Sequence, residues 1–343
     1  MNNKKDILHL IIIIFGYLVI TLILVLPVIP RLDSSIVGDF SKSPDLFGLL
    51  WLDWHVKEAL CNFDFASLWY SDSVLYPIGK NILIDTGVNL LSFLSVPLQL
   101  LFSFPAYFNL MVIIIIMANA LSGYLLAKYL SKDDVVAFLS GFLWAINFYT
   151  VEQFTAGRLF TAAIFWIPLF MLFLFKMKDE YRLKNAVFSA LMLWVALLTS
   201  PYYGIFLLIF LFIFLVYFGV FEHKQVINRN FLKKFGLFSI LFFLMIIPFF
   251  YPILINHQYP IGYEEMKPFP TLDQIQSGHL PGHFSFFLSA TALKYDNLNK
   301  IHLALVLGII SISLFFSKRT LWFWLIITGF FLVLSLGPYV QIF

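Results

Sequence analysis

The sequence predicts an all-α polytopic membrane protein with about nine transmembrane helices, and its composition is the first reason. Of its 343 residues, 61% are hydrophobic and only 12% are charged, against about 45–50% and about 25% in soluble domains. A single soluble core of this size could not enclose so much apolar surface. Several nearly uncharged runs also approach the roughly 20 residues that a helix needs to cross a bilayer.

The first apolar run, 7–29, follows Lys4 and Lys5, as the core of a secretory signal would. It is longer than the roughly 7–15 residues of a signal core, and it lacks a small-residue cleavage site. We therefore predict an uncleaved first transmembrane helix. Eight further spans are predicted at 107–130, 135–150, 160–176, 185–201, 204–221, 235–255, 301–316 and 321–340.

The apolar stretch 88–104 is not predicted to span, because Pro97 interrupts it and another crossing would turn every later basic loop outward. With nine crossings and a cytoplasmic N-terminus, the inner segments hold 14 of the 22 basic residues and 6 of the 19 acidic ones. Inner segments then carry a net charge of +8 and outer segments −5. Basic residues concentrate on the cytoplasmic side of membrane proteins, which supports this orientation in the plasma membrane.

This topology predicts one module over 1–343, with a first outer loop at 31–106, a second at 256–300 and a tight outer turn near 151–159. The first loop contains a predicted helix at about 44–60 with Trp51 and Trp54. Because tryptophan favours the headgroup layer, this helix is expected to lie on the outer interface, and 88–104 is expected to be a second interfacial or re-entrant helix.

Asp39 is the candidate catalytic residue, since it follows a glycine shortly after the first helix in a segment flanked by interfacial helices. Desolvation at the membrane edge would raise its pKa, which suits a general base that takes a proton from a hydroxyl group. A helix-capping or solvated loop aspartate explains the same position. The neighbouring acids of the first outer loop are rivals for this role, although each is expected to be merely solvated, namely Asp33, Asp45, Asp53, Asp64, Asp72 and Asp85.

The outer turn and the second outer loop supply the other candidates. Arg158 could bind a lipid-linked phosphate through its two-pronged guanidinium, and Glu152 could bind a divalent metal, or the two could simply bridge the turn. Glu264 and Glu265 are further possible metal ligands, and His279 and His283 could contact phosphate. Zinc is not expected there, because Pro281 and Gly282 disfavour the helix that would align the histidines.

Other functional classes are not indicated. The single cysteine, Cys61, excludes an internal disulfide framework and a cysteine metal cage. The net charge of only +3 gives no reason to expect a nucleic-acid partner. The sequence also contains no P-loop, so an ATP-driven pump is not indicated.

Several short motifs, taken together, resemble the membrane module of the GT-C superfamily of lipid-dependent glycosyltransferases, and specifically its poorly characterised prokaryotic members. The resemblance covers nearly the whole chain. It rests on Gly38–Asp39, LWLDW at 50–54, LYPIG at 75–79, LSGFLWAIN at 139–147 and LSLGP at 334–338.

That resemblance implies an inverting transfer of a hexosyl or pentosyl group from a polyprenyl-phosphate donor to a glycan, lipid or protein acceptor on the outer face. Asp39 matches the base of the family. Charged residues of the other outer loops would hold the leaving phosphate, with Mg²⁺ or Mn²⁺ in some members. Two departures stand out: Phe40 replaces the second acid of a common acidic pair, and the chain ends at Phe343, as expected for a short or truncated member.

Two other functions remain open. A transporter or lipid flippase would show charged residues within the helices and helices broken at mid-membrane, and the predicted helices contain few ionisable groups. A polysaccharide polymerase or ligase would place arginines in a large outer loop, and 256–300 contains none.

Overall fold

The computed structural model describes residues 3–39, 45–74, 79–82, 90–180, 182–226, 228–255 and 319–335. Within these ranges the regular secondary structure is helical apart from one antiparallel pair of two-residue strands, and turns and loops connect these elements. The helices are α1 (Asn3–Leu24), α2 (Asp45–Cys61), α3 (Leu90–Leu101), α4 (Phe104–Ser131), α5 (Asp134–Ala145), α6 (Phe148–Thr155), α7 (Leu159–Ala162), α8 (Trp166–Asp179), α9 (Leu183–Thr199), α10 (Pro201–Phe221), α11 (His223–Val226), α12 (Arg229–Ile255) and α13 (Arg319–Ser335). The paired strands are β1 (Tyr70–Ser71) and β2 (Lys80–Asn81).

Among the described residues, six segments are long and apolar enough to cross a membrane: Ile7–Leu24, Phe104–Ser131, Asp134–Thr155, Leu159–Asp179, Pro201–Phe221 and Arg229–Phe249. The prediction of a helical, multi-pass membrane protein is therefore confirmed. Only 17% of the first span's residues are buried, so most of its apolar side chains face outward, as they do when lipid surrounds a helix.

The remaining predicted spans differ from these six. The predicted span 185–201 corresponds to α9, which has 17 residues, fewer than the roughly 20 of an average span. The predicted span 321–340 overlaps α13, whose described part ends at Ser335, and the predicted span 301–316 lies outside the described residues. The described part of α3 has 12 residues, about 18 Å of helix, which is less than the thickness of about 30 Å of a hydrocarbon core.

The chain forms two compact units, Met1–Ile209 with Glu222–Gln258, and Phe210–Phe221 with Tyr259–Phe343. In the first unit, α5 packs closely against α1 and α4 at Gly141. A Cβ at Gly141 would lie 2.2 Å from the Tyr17 hydroxyl and 2.4 Å from the carbonyl oxygen of Ala120. Small residues of this kind let membrane helices approach each other. Tyr17 also donates a hydrogen bond to the carbonyl oxygen of Phe138 at 2.8 Å.

In the second unit, α10 presents a buried aromatic face made of Phe210, Phe214 and Phe218, which are spaced four residues apart. Residues four apart share one side of a helix. The ring centroids of these three residues lie 5.1 to 5.9 Å from that of Phe323 in α13. Aromatic packing therefore joins the two described helices of this unit.

Candidate functional site

The turn that follows α6 is shaped by a glycine in the left-handed conformation. Gly157 has φ +68°, its amide donates to the Phe154 carbonyl at 3.0 Å, and the Arg158 amide donates to the Gln153 carbonyl at 2.9 Å. This pair of bonds is the Schellman ending of a helix. It leaves the carbonyl of Thr155, near the helix terminus, available for a partner elsewhere in the chain.

That partner is the candidate base, because the Asp39 amide donates to the Thr155 carbonyl at 2.7 Å. Backbone contact extends to the preceding residue, where a Cβ on Gly38 would lie 3.4 Å from the Thr155 oxygen and 3.9 Å from Gly157 Cα. The structure therefore brings the segment that contains Asp39 against the turn that contains Arg158. Both side chains are half-buried.

Asn109, near the start of α4, holds the segment that leads to Asp39. Its side-chain amide donates to the carbonyl oxygens of Leu32 at 3.0 Å and Ser35 at 2.7 Å. Its side-chain oxygen accepts from the Val37 amide at 2.9 Å. Since Asn109 is only 1% exposed, it fixes this loop from within the core.

Asp53 of α2 lies in a polar network with α3 and α4. One carboxylate oxygen accepts from the Ser92 hydroxyl at 2.5 Å, and the other accepts from the Tyr107 hydroxyl at 3.2 Å. Gln99 donates from its side-chain nitrogen to the Asp53 carbonyl at 3.0 Å. These bonds connect both short helices of the 31–106 segment to the first turn of α4.

The expectation that Asp53 is merely solvated is wrong. Burial raises the pKa of the Asp53 carboxyl from 3.8 to about 6, although hydrogen bonds from Ser92 and Tyr107 act in the opposite direction. Desolvation disfavours the charged form, while donors to the carboxylate favour it. The position of Asp53 in the sequence could not predict its burial, because it does not reveal which face of α2 the neighbouring helices cover.

Asp53 borders a cleft that the 157–160 segment closes on the other side. The cleft is lined by Leu49, Asp53, Leu91, Phe108, Met111, Gly157, Leu159 and Phe160, and its empty space, including the part open to solvent, is about 310 Å³. Among the described residues that line the cleft, Asp53 is therefore the one ionisable side chain. The Asp39 segment contacts the same wall through Gly157.

The predicted turn near 151–159 is shorter than expected, because α6 continues to Thr155 and α7 begins at Leu159. Glu152 is exposed on α6. The charges of Glu152 and Arg158 both act on the hydroxyl of Tyr149, which places them around one part of the surface. That hydroxyl lies 3.0 Å from the hydroxyl of Tyr203 at the start of α10.

Of the three predicted metal ligands, Glu152 is the one that lies within the residues that the structure describes. Within those ranges, no three His, Cys, Asp or Glu side chains come together as a candidate metal site, so we derive no step through a metal. Glu264, Glu265, His279 and His283 lie outside the described residues, and their predicted roles are untested.

Three functional candidates of this site were missed from the sequence, namely Asn109, Ser92 and Tyr107. The sequence does contain a signal for Ser92, because Ser92, Ser95 and Gln99 recur at spacings of three and four residues in an apolar helix. That spacing places them on one helix face, and a polar face in such a helix indicates a polar partner. Asn109 stands alone at the start of an apolar run, which indicates a specific hydrogen-bonding role.

The sequence matches no family model and no curated protein.

Proposed function

We propose that this protein transfers a sugar from a polyprenyl-phosphate donor to a hydroxyl acceptor, with inversion, at the outer face of the plasma membrane. The observation that carries the proposal is the hydrogen bond from the Asp39 amide to the Thr155 carbonyl at 2.7 Å. This bond brings the segment that contains Asp39 and the turn that contains Arg158 together beside the cleft that Asp53 borders. The distribution of basic residues supports a cytoplasmic N-terminus and thus an outward-facing site.

Each group has one task in the proposed reaction. The Asp39 carboxylate takes the proton from the acceptor hydroxyl as its oxygen bonds to the anomeric carbon of the sugar. The bond between that carbon and the phosphate oxygen breaks, and its electron pair leaves with the polyprenyl phosphate. Arg158 stabilises the negative charge that grows on this phosphate, which is where preorganised donors contribute most.

The test is sugar transfer by the purified full chain in lipid nanodiscs, using a panel of radiolabelled polyprenyl-phosphate sugars and an extract of envelope lipids and glycans as acceptor. Asp39→Asn should lower the rate at least about 100-fold, as loss of a general base does. Asp72→Asn removes a carboxylate from an exposed position in the same loop and should leave the rate unchanged.

Arg158→Lys keeps the charge but loses the two-pronged geometry, so a loss of about tenfold is expected. Transfer that is equally fast in wild type and Asp39→Asn would remove Asp39 as the base. Absence of transfer from every donor in the panel would count against the whole proposal.

A transporter or lipid flippase is the second candidate, because both arms of the hairpin made of α5 to α8 are interrupted, at 146–147 before its turn at 156–158 and at 163–165 after it. At the last break, the Asn119 side chain donates to the Ala162 carbonyl at 2.9 Å. Interrupted helices whose free carbonyls find partners are typical of transporters. Lipid scrambling in sealed vesicles that is unaffected by Asp39→Asn would favour this second function.

A further inference from the structure

The carboxylate of Asp53 has only neutral partners among the described residues, the hydroxyl groups of Ser92 and Tyr107. Charged groups stand on the surrounding elements but engage others. On α2, Lys57 pairs with Glu58 at 3.0 Å. The α3 sequence contains no ionisable residue. A charge in an apolar setting without a counter-ion is costly.

The groups on the other faces around Asp53 belong to several elements. His55 directs its Nε2 to the Ser67 carbonyl at 2.8 Å. Tyr107 is the titratable group of the first turn of α4, and Arg158 and Asp39 belong to the neighbouring turn and loop. Among the described residues that line the cleft, Asp53 is therefore the group whose titration would change the charge of the lining.

The walls of the cleft suit a small cation on an apolar stem. Two phenylalanines, Phe108 and Phe160, line it together with aliphatic side chains and Met111. Aromatic rings attract ammonium groups, with greater strength when water is excluded. The cleft is narrow and partly open to solvent, so it admits the tip of a headgroup more easily than a sugar ring with its hydration.

We propose that this cleft binds the primary ammonium group of an ethanolamine phospholipid, with Asp53 as its counter-ion. Ser92 and Tyr107 each occupy one lone pair of the carboxylate, and the remaining lone pairs accept N–H bonds from the ammonium. The tryptophans of α2, Trp51 and Trp54, support a location at headgroup depth. The proposal does not depend on sugar transfer.

Other headgroups complement the cleft less well. A glycerol headgroup donates hydrogen bonds but leaves the charge of Asp53 without a counter-ion. A choline headgroup carries the charge but has no N–H donor, and its three methyl groups are bulky. A charge-assisted hydrogen bond is worth about 1.5–3 kcal/mol, so we expect the ethanolamine headgroup to bind about tenfold more tightly than choline.

The test counts lipids retained by the full chain in native mass spectrometry, after release from phosphatidylcholine nanodiscs that contain a minor fraction of phosphatidylethanolamine or phosphatidylglycerol. Wild type should retain phosphatidylethanolamine about tenfold over phosphatidylcholine. Asp53→Asn should abolish the preference, and Asp72→Asn, at an exposed position, should preserve it. The proposal would be overturned if wild type retained phosphatidylethanolamine and phosphatidylcholine equally, or if Asp53→Asn kept the wild-type preference.

Measuring the lipid preference of wild type over a range of pH tests the proposal even if Asp53→Asn fails to fold. Because the pKa of Asp53 is about 6, protonation should weaken the wild-type preference about tenfold at pH 5. Tyr107→Phe removes a donor that lowers this pKa, so the loss should begin at higher pH. A preference that is independent of pH would contradict the proposal.

The source of the ammonium is tested separately with soluble glycerophosphoethanolamine and ethanolamine. If these stabilise the protein against thermal unfolding while no phospholipid is preferred, the lipid assignment is wrong. Transfer assays on Asp53→Asn distinguish the two proposals, since loss of lipid preference with sugar transfer intact supports lipid binding alone.

Discussion

In the first unit, carboxylates at opposite ends of the helices have different kinds of partner. At the end where α4 stops and α5 starts, one carboxylate oxygen of Asp134 pairs with the Lys128 ammonium at 2.6 Å and the other lies 3.0 Å from Nε2 of His9. Just after α10, Glu222 pairs with Lys178 of α8 at 2.8 Å. At the opposite end of α4, the carboxylate of Asp53 has only hydroxyl partners in the described residues.

This difference separates structural carboxylates from a functional candidate. A carboxylate that pairs with a fixed cation already has its charge balanced, and the pair serves to hold helices together. A desolvated carboxylate that has only neutral donors retains an unbalanced charge, which a substrate, lipid or proton can balance. The contrast thus assigns structural roles to Asp134 and Glu222 and a binding role to Asp53.

The largest effect on stability is expected from Glu222→Gln. The Lys178 side chain is 8% exposed and that of Glu222 is 17% exposed, so the substitution removes a carboxylate partner from a buried ammonium, which keeps its contact with Asp179 at 3.1 Å. We expect the free energy of unfolding in detergent micelles to fall by about 2–3 kcal/mol.

The matched control is Glu58→Gln, which breaks the more exposed pair with Lys57. It should change the free energy of unfolding by no more than about 0.5 kcal/mol. If both variants lose the same amount, burial does not distinguish these pairs, and the structural role of Glu222 is refuted.

Asn109→Ala should have the next largest effect, because it removes three hydrogen bonds to the loop before Asp39. We expect a loss of about 2 kcal/mol in the free energy of unfolding. Proteolysis between α1 and α2 should also accelerate. Asn62→Ala, which removes one exposed bond to the Glu58 carbonyl, serves as the control. Unchanged proteolysis in Asn109→Ala would show that Asn109 does not hold this loop.

Gly157→Ala is expected to cost about 1–1.5 kcal/mol, since φ +68° strains any residue with a Cβ. The new Cβ would also lie 2.5 Å from a methyl carbon of Leu46. Gly48→Ala, in α2, introduces a Cβ with no atom within 4 Å and should be neutral or stabilising. A Gly157→Ala protein as stable as wild type would contradict the described turn.

Much of the helical structure could be predicted from the sequence, because crossing a bilayer demands long apolar runs whatever the tertiary packing. The run around 107–130 was predicted within a few residues of α4, and the exclusion of 88–104 agrees with the short α3. The hairpin at 135–176 was less predictable. Its breaks depend on local caps, such as the Asn147 side chain that accepts from the Thr150 amide, rather than on hydropathy.

The site was predictable only in part. Asp39 and Arg158 were chosen separately, and nothing in the sequence indicates that residues so far apart share a hydrogen-bonded junction. Asp53 was a rival to Asp39 that was expected to be merely solvated, because hydropathy does not distinguish one loop carboxylate from another. Its burial depends on which face of α2 meets Ser92 and Tyr107, and that is a property of packing.

The most direct test of the contrast between the ion-paired carboxylates and Asp53 is the titration of Asp53 itself. Infrared difference spectra of the full chain in phosphatidylcholine nanodiscs should show a carboxyl group that gains its proton with a midpoint near pH 6, and Asp53→Asn should remove this signal. Because the folded-state pKa exceeds the ordinary 3.8, the folded protein binds this proton more tightly than the unfolded chain. The free energy of unfolding should therefore fall as pH rises from about 4 to about 6 and then level off, and Asp53→Asn should flatten that slope. A midpoint near 4, or a signal that persists in Asp53→Asn, would contradict the account.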